Sequence, residues 1–145
     1  LNMSQEWKEV SAQWQGEMSF VGKNQAGGGV QMGTIAGQPG TSPMELLLMG
    51  VAGCTGLDIV HILGKKRVTF DQFEVRVRGK RADDYPKVYN EIEIEYILWA
   101  NDLSPKAVEQ AIELSEEKYC SASAMMSKSA EMRSSYRILA PGEEA

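Results

Sequence analysis

The side chains in this chain best suited to covalent chemistry are two cysteines, Cys54 and Cys120. A thiolate is the reactive form of cysteine; helix N-termini and nearby cations favour it, and apolar burial opposes it. Cys54 lies inside a run from Leu46 to Leu57 that carries no charged side chain. Burial alone would leave it an inert packing residue. A reactive Cys54 requires a cation or donor from elsewhere, and Lys23 and Lys118 are the candidates. Asp58 and His61 follow it by four and seven positions, which places all three on one helix face. A Cys–His pair is a known nucleophile–base arrangement, while a lone histidine is also a common structural group. Cys120 stands just before Ser121 and Ser123, and a helix starting there would aim free N–H groups at the sulfur. The cysteines form no C-x-x-C motif, and a single histidine does not furnish the usual zinc ligand set.

The helix that carries Cys54 is the best-marked element. Ser42, Pro43 and Glu45 make a capping box with proline at the first helical position. Gly64, followed by Lys65, Lys66 and Arg67, reads as a left-handed stop with cations at the negative helix end. The helix spans residues 42–64 and is apolar nearly all round, which implies enclosure on all sides. Its uncharged stretch is shorter than the 18 or so apolar residues of a membrane span. Gly50, Gly53 and Gly56 inside it each cost roughly 1 kcal/mol against alanine, so another backbone is expected to come close.

Strands are expected at residues 5–14 and 17–22 around Gln15-Gly16, and at 30–35. Lys23 to Ala26 and the triplet Gly27-Gly28-Gly29 form a loop without a Walker pattern, and residues 36–41 are a turn-rich linker. Residues 69–80 and 88–99 alternate cleanly. Phe73, Val75 and Val77 oppose Glu74, Arg76 and Arg78; Ile92, Ile94, Tyr96 and Leu98 oppose Glu91, Glu93 and Glu95. One outer face is basic and the other acidic, so the two strands pair antiparallel. Ser104 caps a second helix that runs to about Tyr119, with Ala107, Val108, Ala111, Ile112 and Leu114 to Ser115 inward. Residues 121–126 restart a helix, 131–139 form a last strand, and 140–145 are a frayed tail. The order β-β-(β)-α-β-β-α-α-β is an α+β pattern. Two thiols on helices that pack on one sheet could form a disulfide if their Cα atoms approach within about 7 Å.

The 145 residues suit one domain, spanning 1–145 with 1–4 and 140–145 flexible. Net charge is −5, which gives no footprint for nucleic acid. No signal peptide or transmembrane span is read, and Leu1 and Asn2 ahead of Met3 look like vector-derived residues. Two cysteines without an export signal point to the reducing cytoplasm.

The block GTSPMELLLMGVAGCTGLDIVHIL resembles the first-cysteine helix of the OsmC/Ohr family, and AIELSEEKYCSASAMM resembles the family's second-cysteine segment. RADDYPK and AIELSEEKYCSAS are most similar to its YhfA-type branch, and the resemblance runs from about Glu6 to Leu139. It implies an α+β, OsmC-like fold: antiparallel sheets wrapped around two central helices in an intertwined homodimer, with sites at the subunit interface.

It also implies a thiol peroxidase active in oxidative-stress defence. Cys54 would attack an organic hydroperoxide and become a sulfenic acid, Cys120 would resolve it as a disulfide, and a dithiol reductant, possibly lipoyl-type in class, would reset the pair. An apolar pocket of Leu47, Met49, Val51 and Met126 would favour fatty or aryl hydroperoxides. No organic or metal cofactor is implied. The family's early-loop arginine has Lys23 in its place, which lacks the bidentate fork. Its glutamate after Asn-Pro corresponds to Met44, with the carboxylate moved to Glu45, about 100° around the helix. Glu45 and Lys23 are therefore the candidate supports for Cys54, and Glu45 also serves the capping box. The alternative reading is a non-enzymatic dimer that binds an apolar or electrophilic small molecule, with the thiols as redox sensors.

Overall fold

The computed structural model describes residues 6–145. The expectations that fall on Leu1 to Gln5 lie outside the described residues. The chain divides into two compact units, one ending at Leu47 and the other running Leu48–Ala145.

The first unit holds a meander of β1 (Val10–Trp14), β2 (Met18–Asn24), β3 (Gly29–Ile35) and the short β4 (Gln38–Pro39), in that spatial order. All its ladder pairs are antiparallel. β1 is shorter than expected, and residues 6–9 are irregular. Gly16 (φ 97°) and Glu17 (φ 50°) make the first turn. β2 continues to Asn24, so Lys23 stands on a strand opposite Ser11 and Gly29, not in a loop. The glycine triplet closes the next hairpin, where the Asn24 side chain accepts from the Gly28 N–H at 2.8 Å. Trp14, Phe20 and Met32 line up across β1, β2 and β3 on one face.

Gly33 is the most constrained residue of this sheet. Its φ is +81°, and a Cβ built there would lie 1.9 Å from the Met18 carbonyl oxygen. Both the left-handed backbone and the backbone contact exclude a side chain. Gly33→Ala is expected to destabilise the protein by at least about 1–3 kcal/mol, read as a lowered urea midpoint; an unchanged midpoint would refute this.

α1 (Pro43–Lys65) starts in the first unit and continues through the second. Its start follows the sequence: the Ser42 N–H donates to Glu45 Oε1 at 2.8 Å, and the Glu45 N–H donates to Ser42 Oγ at 3.0 Å. Its end differs. Gly64 stays helical, and the left-handed residue is Arg67 (φ 58°), whose following residue Val68 donates back to the Leu63 carbonyl at 2.9 Å. By length and composition α1 is long and apolar enough to cross a membrane, which the uncharged run alone is not. Nor is α1 enclosed on all sides within the chain. Val51, Thr55, Ile59 and Leu63, four residues apart, are its buried stripe. Leu57 is 74% exposed and Val60 46%, while a Cβ built at Gly50 or Gly53 would meet no other group within 4 Å. Among the glycines of this stretch, only at Gly56 would a built Cβ come close to another element, 3.4 Å from the Val75 side chain.

The second unit also contains β5 (Gln72–Arg81), β6 (Tyr89–Trp99), α2 (Pro105–Leu114), a π-turn (Ser115–Tyr119), α3 (Ser121–Met126) and β7 (Glu131–Leu139). β5 and β6 pair antiparallel as expected, with Arg76 opposite Glu95 and Arg78 opposite Glu93. β7, however, runs parallel to β6 on its other side, so this sheet is mixed and not purely antiparallel. The helical connection over residues 105–126 carries the chain back to the starting end of β6, and such a crossover produces a parallel pair. β7 adds Arg133 and Arg137 to the charge ladder, reaching Glu91 at 2.9 Å and Glu95 at 3.1 Å. These pairs remain in contact with solvent, with side chains 34–46% exposed, and each contributes at most about 1 kcal/mol. The inner residues Ile92, Ile94, Tyr96 and Leu98 are all buried with Val51, Ile59, Leu63, Val108 and Ala111. Ser104 caps α2 with Pro105 at its start, but Leu114 is 40% exposed where an inward position was expected. In the C-terminal segment Trp99 Nε1 donates to the Glu143 carbonyl at 2.6 Å, and the Ala140 N–H donates to Glu143 Oε1 at 3.2 Å.

Candidate active site

The second unit brings both cysteines to one place. Cys54 lies on α1 beside the buried Thr55, and Cys120 follows the π-turn. The two sulfurs and a carboxylate oxygen of Asp58 all lie within 4.8 Å of one another. Asp58 is on the same helix one turn after Cys54, as the spacing of four required.

A break in the second helix aims Cys120. In an α-helix, positions five apart point about 140° away from each other. Over Ser115–Tyr119 the helix instead makes a π-turn, closed by the Cys120 N–H donating to the Ser115 carbonyl at 2.7 Å. That wider turn brings residues 115 and 120 towards one side, and both are buried. Cys120 then caps α3, accepting from the Ser123 N–H on its sulfur at 3.3 Å.

Asp58 is held by a chain of hydroxyls. Ser115 Oγ donates to Asp58 Oδ2 at 3.0 Å. Thr55 Oγ1 lies 2.8 Å from Ser115 Oγ and 3.0 Å from the Tyr96 hydroxyl. Tyr96 donates to Glu116 Oε2 at 2.6 Å, and Ser134 donates to Glu116 Oε1 at 3.0 Å. With the Ser115 and Tyr96 hydrogens committed to carboxylates, the single Thr55 hydrogen serves one neighbour at a time. Burial and the adjacent Glu116 carboxylate push the Tyr96 phenol far above its ordinary range, so it acts as a donor.

The two thiols are not equivalent. Cys54 is half-buried, whereas Cys120 is 3% exposed. Burial pushes the Cys120 thiol up from its ordinary value; the Ser123 hydrogen bonds oppose this, and the neighbouring Cys54 sulfur adds to it. The expectation that a restarted helix favours the Cys120 thiolate is thus corrected in its net sign, because desolvation outweighs the N–H contact.

The other expected site residues have local surroundings of their own. Glu45 is engaged in the capping box, and the Ser42 N–H and hydroxyl hold its carboxyl below the usual value. Lys23 is exposed on β2 in the first unit. Lys118 lies over the Tyr119 ring, 5.2 Å from its centroid. His61 is exposed; it lines a cleft of about 480 Å³ together with Asp58, Ile62, Lys65 and Tyr119. Val51, expected to line a substrate pocket, is fully buried in the core; Leu47 and Met49 are exposed and Met126 is half-buried. Sequence reading missed Thr55, Ser115, Tyr96 and Glu116 as supports of Asp58. Their signal was a hydroxyl at three positions that otherwise belong to apolar faces.

Residues 36–135 match the family described as OsmC-like protein. The chain belongs to this family. It is 33% identical to Protein YhfA of Escherichia coli (strain K12) over 132 residues, which cover 91% of this chain and 98% of YhfA. It is also similar to the crystal structure of a hypothetical protein from Aquifex aeolicus, with a TM-score of 0.84, 38% identity, and coverage of 97% of this chain and 100% of the other. The organic hydroperoxide resistance protein OhrB of Bacillus subtilis shares the fold at a TM-score of 0.62 and 18% identity, covering 91% of this chain and 98% of that one. The paired cysteines of this OsmC-like chain therefore sit in a fold common to proteins of stated and unstated function.

Proposed function

We propose that this OsmC-like chain is a thiol-dependent peroxidase that reduces organic hydroperoxides in a reducing compartment, working as a homodimer. The observation that carries the reading is the convergence of a half-buried and a fully buried thiol at one point. The accessible sulfur, Cys54, attacks the peroxide: its thiolate takes the distal oxygen, the O–O bond breaks, and the alkoxide leaves as alcohol after taking one proton. Cys120 then attacks the Cys54 sulfenic acid, forming the disulfide and releasing water. An external dithiol reduces the disulfide by exchange and is itself oxidised. The family membership and the hydroperoxide resistance named for OhrB support this reading.

The homodimer rests on the open stripe of α1, where Gly50, Gly53, Leu57, Val60 and Gly64 recur at alternating spacings of three and four. A second copy would cover the apolar surface that the chain leaves open there.

The test is to mix reduced protein with cumene hydroperoxide and follow intact mass. The expected result is a rapid loss of two hydrogens per chain, slower with hydrogen peroxide. No change at stoichiometric peroxide would overturn the enzyme reading and favour a dimeric binder with sensing thiols.

A further inference from the structure

We infer that the reduced protein binds one soft divalent cation of the zinc class between Cys54, Cys120 and Asp58, with the fourth position left to a small outside ligand. This site uses the same two thiols as the peroxidase reading, but metal binding by the reduced protein does not depend on that reading. Two sulfurs and a carboxylate oxygen already converge within 4.8 Å. A tetrahedral zinc site places neighbouring sulfur and oxygen donors about 3.5–3.8 Å apart, from its bond lengths. Closing the difference takes an approach of the donor atoms by about 1 Å. Two thiolates and one carboxylate are the soft-plus-hard set that zinc, cadmium and cobalt(II) accept.

The surroundings are built as a metal site requires. Metal-ligating carboxylates are themselves hydrogen-bonded, which fixes their orientation. Asp58 receives the Ser115 hydroxyl at 3.0 Å, and Ser115 is tied through Thr55 and Tyr96 to Glu116. The Ser123 N–H restrains the Cys120 sulfur at 3.3 Å. An entry path exists, because Asp58 lines the open cleft beside His61. Lys65 and Lys66 border that cleft; they slow cation entry at low salt, while the cluster's own charge decides the outcome. Binding converts the half-buried Cys54 and buried Cys120 thiols to thiolates: M²⁺ displaces two protons, and the site's three negative charges are reduced to one.

Reduced full-length protein is titrated anaerobically with cobalt(II) alone, with no peroxide present, so this test and the peroxidase test fail separately. The expected result is one equivalent bound, with thiolate-to-cobalt charge transfer, intense tetrahedral visible bands, about two protons released per metal, and displacement by zinc. Cys54→Ser and Cys120→Ser each abolish the charge-transfer signature of a two-thiolate site. Asp58→Asn weakens binding at least about tenfold, and Asp58→Glu restores part of it. Absence of the band in reduced wild-type protein, or release of no protons, would overturn the site whether or not the Asp58 variants fold. Unchanged affinity in folded Asp58→Asn would do the same.

Discussion

Cys54→Ser is expected to reduce cumene hydroperoxide consumption to background, and Cys120→Ser to allow one oxidation per chain and then stop. The asymmetry is expected from exposure: Cys54 is half-buried and would meet substrate, while Cys120 is 3% exposed and would meet only what Cys54 has become. In Cys120→Ser the sulfenic acid has no thiol partner within the chain, because these are its two cysteines. Trapping it with dimedone, one adduct per chain, checks this. Continued turnover in Cys54→Ser, or adduct formation on Cys120 in wild-type protein, would refute the assignment. A pH profile adds a second readout. Burial raises the Cys120 thiol, so below that raised value the thiolate fraction, and with it the rate of disulfide closure, climbs about tenfold per pH unit. Oxidation of Cys54 in the Cys120→Ser variant lacks this contribution. The same raised value bears on stability. The buried neutral thiol stabilises the fold below the unfolded-state value, and that contribution is lost as pH rises through the folded one. Cys120→Ser is thus expected to flatten part of the alkaline fall in stability.

Leu57→Arg is expected to convert a homodimer into folded monomers. Leu57 is 74% exposed within the chain, so the substitution leaves the protomer core intact. In a dimer it would place an unpaired charge on the glycine-rich stripe where two backbones approach. The dissociation constant should rise at least about a hundredfold, or roughly 2.7 kcal/mol. Sedimentation velocity at micromolar concentration measures this, and circular dichroism checks the fold. A monomeric wild-type protein, or a variant that still dimerises, would sink the proposal. The exposed Trp14, Met18 and Phe20 of the first unit, at 62%, 82% and 43%, form a further apolar surface that a second copy would cover.

Much of this architecture was legible because local rules acted alone. Ser42, Pro43 and Glu45 mark the α1 start by side-chain hydrogen bonds within four residues. The alternation in β5 and β6 gave both the buried face and the antiparallel pairing through opposite charges. Ser104-Pro105, the helix restart after Cys120 and the last strand follow equally from nearest neighbours. The family resemblance likewise rested on two short cysteine blocks, the first with Met44 where the family has a glutamate.

What the sequence did not determine depended on contacts between distant elements. The α1 terminus moved past Gly64 because Val68 found the Leu63 carbonyl. β7 became parallel because the connection over α2 and α3 returns to the start of β6. The Cys120 thiol is raised because desolvation, a property of the packed core, exceeds the one N–H contact that spacing foretold. The site itself needs α1, β6 and the π-turn at once: Thr55, Tyr96 and Ser115 come from three separate segments. Sequence determined which residues carry reactive groups; tertiary packing determined which of them meet, and which thiol is the more exposed.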